Sequence, residues 1–175
     1  MKKTTIRKAS NIDFNLFYDF FEKTLDDAYF QYSPLTIKMI KQDLSKGSLK
    51  NGIRSGNRIL FLAFIGEQLV GYLLTLKVNG GVSFGHWLAV DKRFQKRGIA
   101  SQMILFWEQS TLLEGAHMLE LYTTKNNKEF YAKQGFTFAG KFPNGWFGVD
   151  HFQFYKLLRP FDEGRYYKDR KYADE

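Results

Sequence analysis

With 175 residues, 44% of them hydrophobic and 18% aromatic, the chain has apolar material for one well-buried core and is short for two. It contains no cysteine, which excludes a disulfide framework, a thiolate nucleophile and a cysteine zinc site; His86, His117 and His151 are scattered without ligand spacing, so no metal is expected. The net charge of +8 asks for an anionic partner, whether nucleic acid, a membrane surface or a phosphorylated cofactor.

Met1-Lys2-Lys3 runs into polar Thr4-Thr5, and no segment approaches the ~20 apolar residues of a membrane span. A soluble, cytoplasmic protein with no membrane partner is the expectation. Thr4 to Lys8 predicts a first strand, and Ser10 or Asn11 caps a helix in which Phe14, Phe17, Tyr18, Phe21 and Leu25 form an aromatic stripe facing the core. A second helix is expected after Ser33-Pro34, with Ile37, Ile40 and Leu44 on one face and Gly47 near its end. Lys50 to Asn57, rich in Gly, Ser and Asn, predicts a loop.

Arg58 to Ile65, Leu69 to Val78 and Val82 to Val90 predict an antiparallel meander, turned at Gly66-Glu67-Gln68 and at Asn79-Gly80-Gly81. A helix starts near Ile99 and runs to Gly115; Met118 to Thr124 follows as a strand. Asn127 to Gln134 predicts a short helix, and Phe136 to Ala139 and Asp150 to Leu158 two last strands. The domain is taken as residues 1–158, followed by a polar tail, 159–175. Phe161, Tyr166, Tyr167 and Tyr172 are expected to pack that tail on the domain or on a second copy, as a homodimer.

The segment Leu88-Ala89-Val90-Asp91-Lys92-Arg93-Phe94-Gln95-Lys96-Arg97-Gly98-Ile99-Ala100-Ser101 passes from an apolar strand through a basic turn into a helix. A helix N-terminus offers unpaired N–H groups and the positive end of its dipole, which suits phosphate oxygens. Gly98 lets the backbone approach an anion, Ala100 keeps the first turn small, and Lys92, Arg93, Lys96 and Arg97 add attraction. The site reads as a pyrophosphate cradle. Neither G-x-x-x-x-G-K-[ST] nor G-x-G-x-x-G is present, which removes support for nucleotide hydrolysis and hydride transfer.

Gln95-Lys96-Arg97-Gly98-Ile99-Ala100 fits [QR]-x-x-G-x-[GA] and resembles the acyl-CoA signature of the GNAT superfamily of N-acetyltransferases. Asn127-Lys128-Glu129-Phe130-Tyr131-Ala132-Lys133-Gln134-Gly135-Phe136 resembles the family's N-x-x-F-Y-x-K-x-G-F segment, and the order of elements fits over nearly the whole chain. The resemblance implies a single-domain α/β (α+β) fold. It has a mixed, mostly antiparallel sheet of six or seven strands flanked by about four helices, splayed between strands ending near Val90 and starting near Met118. It also implies acetyl-CoA as donor. Backbone groups from Gln95 through Ser101, including Ile99, would hold the pyrophosphate; Leu88, Ala89 and Val90 would hold the pantetheine arm; Asn127 and Lys133 would contact the cofactor, with Tyr131 beside the thioester sulfur.

Transfer to an amine needs a base, a holder for the developing oxyanion and a proton for the departing thiolate. The backbone N–H of Val90 is the expected oxyanion donor and Tyr131 the general acid. Many relatives place a glutamate on the strand before the signature; here His86, Trp87, Leu88 and Ala89 stand there, and His86 is the candidate base, with Glu120 and Asp91 as weaker ones. The loop Gly140 to Gly148, with Trp146 and Phe147, and the residues His151 and Tyr155 are candidates for the acceptor wall, and Glu22, Asp26 and Asp27 for contacts to a cation. A small-molecule amine is the expected acceptor; a protein N-terminus or lysine is the alternative. A non-catalytic acyl-CoA sensor is a rival reading. Nucleic acid is not expected, because the basic residues are dispersed and no binding motif is present.

Overall fold

The computed structural model describes residues 3–28 and 32–168. Seven strands form one sheet in the order β1-β2-β3-β4-β5-β7-β6: β1 (Thr4–Lys8), β2 (Arg58–Ile65), β3 (Gln68–Leu76), β4 (Val82–Val90), β5 (Met118–Thr123), β6 (Thr137–Phe142) and β7 (His151–Leu157). Every neighbouring pair is antiparallel except β4 and β5, which run parallel. The helices are α1 (Phe14–Ala28), α2 (Pro34–Asp43), α3 (Lys46–Arg54), α4 (Ile99–Leu113), α5 (Lys128–Lys133) and α6 (Glu163–Lys168). The mixed, mostly antiparallel single-domain architecture read from the sequence is the one observed.

The sheet is covered on both faces. Phe17, Phe21 and Leu25 of α1, Ile40 of α2 and Leu49 of α3 pack with Leu60, Leu62, Tyr72 and Leu74 on one face. Ile99, Met103, Ile104 and Trp107 of α4 pack with Phe61, Ala63, Val70, Leu73, Leu119 and Leu121 on the other. Burial on both sides explains why Ile59 to Phe64 reads as a continuous apolar run rather than an alternation. The start of α1 is tied to β1 by Asp13, whose carboxylate accepts two 2.6 Å bonds from the Arg7 guanidinium and also closes a capping box with Ser10.

Three local expectations are corrected. Residues 50–54 are not a loop: Lys46–Arg54 is helical, because Leu49, fully buried, anchors one side against the α1 core despite the Gly and Asn around it, and only residues 55–57 form the turn into β2. The helix from Pro34 does not run to Gly47; it ends at Asp43 and a new one begins at Lys46, so the helices outnumber the four expected. The sixth strand runs Thr137–Phe142 rather than Phe136 to Ala139, since Phe136 turns inward to stack on Trp107 at 6.3 Å. In the C-terminal segment, Phe161 meets the His117 ring at 5.0 Å and Tyr166 is buried with Val78 and Ala116; Tyr172 lies outside the described residues.

Candidate active site

The two parallel strands part company early. β4 pairs with β5 only from Val82↔Met118 to Gly85↔Leu121. Beyond that point β4 continues to Val90 with no strand on its β5 side among the described residues, and a cleft of about 1230 Å³ opens in the fork. Two features hold the fork open. The Trp107 ring occupies the space beside Gly85, and its Nε1 donates a 2.8 Å bond to the Ser83 hydroxyl. The second is a bulge in β4. Leu74 pairs with Trp87 and Thr75 with Gly85, which leaves His86 as the extra residue. A bulge bends the strand and re-aims its side chain. His86 is thereby placed on the cleft wall, and the side chain is exposed to the cleft.

At one end of the cleft lies the turn that enters α4. Gly98 is the N-cap of that helix at φ 76, and Lys96 also stands in the left-handed region at φ 58. Alternation of this kind aims successive N–H groups at one concave spot, a nest for an anion. A Cβ at Gly98 would have open space around it, its nearest neighbour being the Gln102 amide nitrogen at 3.9 Å, so the glycine answers to its φ and not to crowding. Gln95 donates from Nε2 to the Val90 carbonyl at 3.0 Å, which fixes the turn to the end of β4. The cradle fits a pyrophosphate: the start of a 15-residue helix with no side-chain cap at Gly98 and open space beside it, and Lys92 and Lys96 lining the cleft.

The cleft brings together nearly all the residues expected to contact the donor. Leu88, Ala89, Val90, Gln95, Lys96, Gly98, Ile99, Ala100, Ser101, Asn127 and Tyr131 line it. Arg97 and Lys133 do not: the Arg97 guanidinium lies over the Phe94 ring at 5.3 Å, and Lys133 is exposed at the end of α5. Tyr131 is held by ring contacts to Phe130, Phe136 and Phe154 at 5.1, 5.7 and 6.3 Å, and burial alone pushes its phenol pKa well above the ordinary value. The phenol is therefore fully protonated at neutral pH.

His86 has its pKa lowered to about 4, first by surrounding protein atoms and second by the Arg58 guanidinium. It is a neutral imidazole at physiological pH whose side chain is exposed in the cleft. The other two base candidates are engaged elsewhere. Asp91 is buried and bound by the Arg93 guanidinium and backbone, which depress its pKa to about 2. Glu120 accepts from Gln153 at 2.6 Å and does not line the cleft.

The far end of the cleft is aromatic. Phe84 meets Tyr122 at 5.7 Å across the fork, Tyr122 meets Trp146 at 4.8 Å, and Trp146 meets His151 at 5.2 Å. His151 is buried; its Nδ1 donates to the Val149 carbonyl at 2.7 Å, so in the neutral ring Nε2 is the acceptor for the Tyr32 hydroxyl at 3.3 Å. Of the residues expected to wall the acceptor, Trp146, Phe147 and His151 line the cleft, whereas Tyr155 does not. Tyr32, Phe84, Tyr122 and Arg58 were not anticipated. Each carries a signal visible only in three dimensions, being placed by strand register or by a chain crossing.

The acidic residues read as cation contacts are mostly occupied. The Lys41 ammonium lies 2.8 Å from both Asp26 oxygens, and Lys92 lies 3.8 Å from Asp27. Among the described residues no group of three or more His, Asp or Glu can hold a metal, and no helix is long and apolar enough to cross a membrane.

Comparison with known proteins agrees with this geometry. No curated protein gives a significant match to the sequence. The fold is that of a PaiA N-acetyltransferase from Thermoplasma acidophilum solved with coenzyme A, at TM-score 0.75, 22% identity, and coverage of 89% of this chain and 99% of the other. An N-acetyltransferase from Staphylococcus aureus Mu50 superposes at TM-score 0.69 and 18% identity over 89% and 98% of the two chains. An aminoglycoside 6'-N-acetyltransferase complexed with coenzyme A does so at 0.70 and 15% over 91% and 99%. The family model described as the acetyltransferase (GNAT) domain matches residues 29–151, which span the phosphate turn, the fork and Tyr131, and the chain belongs to that family of acyl-CoA-dependent acetyltransferases.

Proposed function

We propose that the protein transfers an acetyl group from acetyl-CoA to the primary amine of a small molecule, by direct attack while donor and acceptor are bound together. The observation that carries this reading is the continuity of one cleft. It runs from the anion cradle at Gln95 to Ser101, past the Tyr131 phenol and the His86 imidazole, to an aromatic end.

Acetyl-CoA supplies a thioester carbonyl open to nucleophilic attack. The amides of the Gln95–Ser101 turn hold its pyrophosphate, and the exposed side of β4 beyond Gly85 receives the pantetheine arm by backbone hydrogen bonds. His86 takes the proton released as the amine becomes an amide, directly or through one water, since its ring is neutral and wet. The Val90 N–H holds the developing oxyanion, and Tyr131 donates its phenolic proton to the leaving sulfur. The aromatic end admits an acceptor and excludes bulk water from it.

The test is free-thiol release from acetyl-CoA over a library of amines, set beside calorimetric binding of acetyl-CoA. Turnover on at least one small amine supports the reading. Tight acetyl-CoA binding with no turnover on any amine supports a sensor in its place.

A further inference from the structure

Arg58 is an arginine where a strand core would take an apolar residue. It opens β2 on the face that carries Leu60 and Leu62, and it lines the cleft. Its stem lies over Gly52 of α3, where a Cβ would come within 2.9 Å of Cδ; a glycine there leaves the notch the side chain needs. Its Nη1 is buried and has no hydrogen-bond partner. No ion pair reaches it among the described residues, and burial alone shifts its pKa, downward. A buried guanidinium nitrogen without a partner is costly and rare.

The other charged and titratable groups along the cleft are paired, flank the phosphate turn or are open to solvent. Asp27 faces Lys92. Lys92 and Lys96 flank the phosphate turn, and His151 is engaged by Tyr32 and Val149. Asp43 of α2 is solvent-exposed and makes no ion pair with Arg58. His86 lies close enough to Arg58 for the cation to disfavour its protonation. Asp43 thus adds an exposed, solvated carboxylate to the cleft, whereas Arg58, beside His86, is its one buried charge without a partner among the described residues, and that charge is positive although the ligand taking the acetyl group is an amine.

We infer that the acceptor carries a carboxylate as well as its amine, and that Arg58 is the residue that binds this carboxylate. A guanidinium grips a carboxylate through two N–H donors in a plane, which fixes the acceptor's orientation as well as its affinity. With that pairing the Arg58 charge is neutralised beside His86, which favours proton uptake by the imidazole at the moment the amine attacks. The aromatic walls at Phe84, Tyr122 and Trp146 would then contact the body of the acceptor. An amino acid, or a related amino-carboxylate, has this chemistry; an aliphatic polyamine does not. The inference rests on the acetyltransferase reading above.

The experiment compares matched ligands that differ only by the carboxylate: N-acetylalanine, N-acetylleucine, N-acetylphenylalanine and N-acetyltryptophan against their N-acetylated decarboxylated amines. Binding is measured by calorimetry with coenzyme A present, so no amine ionisation and no turnover enters the result. In the wild-type protein at least one carboxylate-bearing ligand is expected to bind about 10- to 100-fold tighter than its partner. Arg58→Met is expected to bring that ratio close to one, and Arg58→Lys to keep part of it. Equal, weaker or undetectable binding of every carboxylate-bearing ligand by the wild type overturns the inference without any variant, and so does an unchanged ratio in Arg58→Met. Thiol release on the corresponding free amines separates the two levels: turnover with no carboxylate preference sinks the Arg58 assignment alone, whereas a binding preference with no turnover sinks the transferase reading alone.

Discussion

Trp107 fills the space that Gly85 leaves empty. A Cβ at position 85 would lie 2.8 Å from the Trp107 Cη2, and the indole Nε1 reaches back to Ser83 two residues before. Gly85 is also the last residue of β4 paired with β5. The ring therefore sits against the strand where the fork begins, and the glycine permits that approach. Gly85→Ala is expected to cost about 1–3 kcal/mol through overpacking, read as a lower denaturation midpoint in urea with an unchanged slope. Because the strain falls at the fork, acetyl-CoA should also bind more weakly.

Gly98 gives a contrasting case. Its surroundings are open, so Gly98→Ala meets no clash, but φ 76 places a side chain in the left-handed region at a cost of about 1–2 kcal/mol. A methyl group there would also stand in the concave face that the amides present. The expected result is a loss of acetyl-CoA affinity larger than the loss of stability predicts, seen by comparing calorimetric Kd with Tm. An affinity that falls no further than global stability would place the anion elsewhere.

Tyr131→Phe removes a hydroxyl from a ring that stays packed among Phe130, Phe136 and Phe154. Turnover should fall on the order of 100-fold, with KM for acetyl-CoA within about twofold of wild type. Its raised pKa means the phenol holds its proton across the neutral range, so no loss of rate assignable to Tyr131 should occur below about pH 10.

For His86 the sign follows from its proposed role as base. The active form is the neutral imidazole, and a pKa of about 4 keeps it neutral above that value. The ratio of wild-type to His86→Ala kcat/KM cancels the ionisation of the amine, which both enzymes share. That ratio should stay flat from pH 8 down to about 5 and fall as pH drops through about 4; a fall centred near 6.5 would mean an unperturbed, solvated ring.

The part of the cleft proposed to hold the donor was legible in the sequence because it is local. The turn from Gln95 to Ser101 and the segment from Asn127 to Phe136 each carry their geometry within about ten residues, in a glycine at a helix start and an aromatic pair before a helix stop. The part proposed to take the acceptor is assembled from far-apart pieces. Tyr32 meets Phe147 and His151 across the chain, and Phe84 meets Tyr122 through a parallel pairing that no short-range pattern encodes. The bulge that singles out His86 leaves no mark in the residue types around it, since it arises from the register of β3 against β4. Residues 46–54 misled for a different reason: their Gly, Ser and Asn content suits a loop, and only tertiary burial of Leu49 makes the helix worthwhile.

The tie between β1 and α1 gives the last expectation, on stability rather than catalysis. Asp13 is buried, and its carboxylate is held by Arg7, whose hydrogen bonds are the largest influence depressing its pKa far below the usual 3.8, with Ser10 adding to the effect. A depressed folded-state pKa contributes stability that is fully present above the unfolded value near 3.8 and is lost as pH falls below it. Wild-type protein should therefore lose stability on acidification from about pH 5 to pH 2. Asp13→Asn should be less stable at pH 7, by about 1–3 kcal/mol, because it leaves Arg7 without its partner and breaks the cap. The difference between wild type and variant should shrink as the pH drops, since acid removes the same charge from the wild type. A gap that stays constant down to pH 2 would assign the effect to packing at Asp13 and not to its charge.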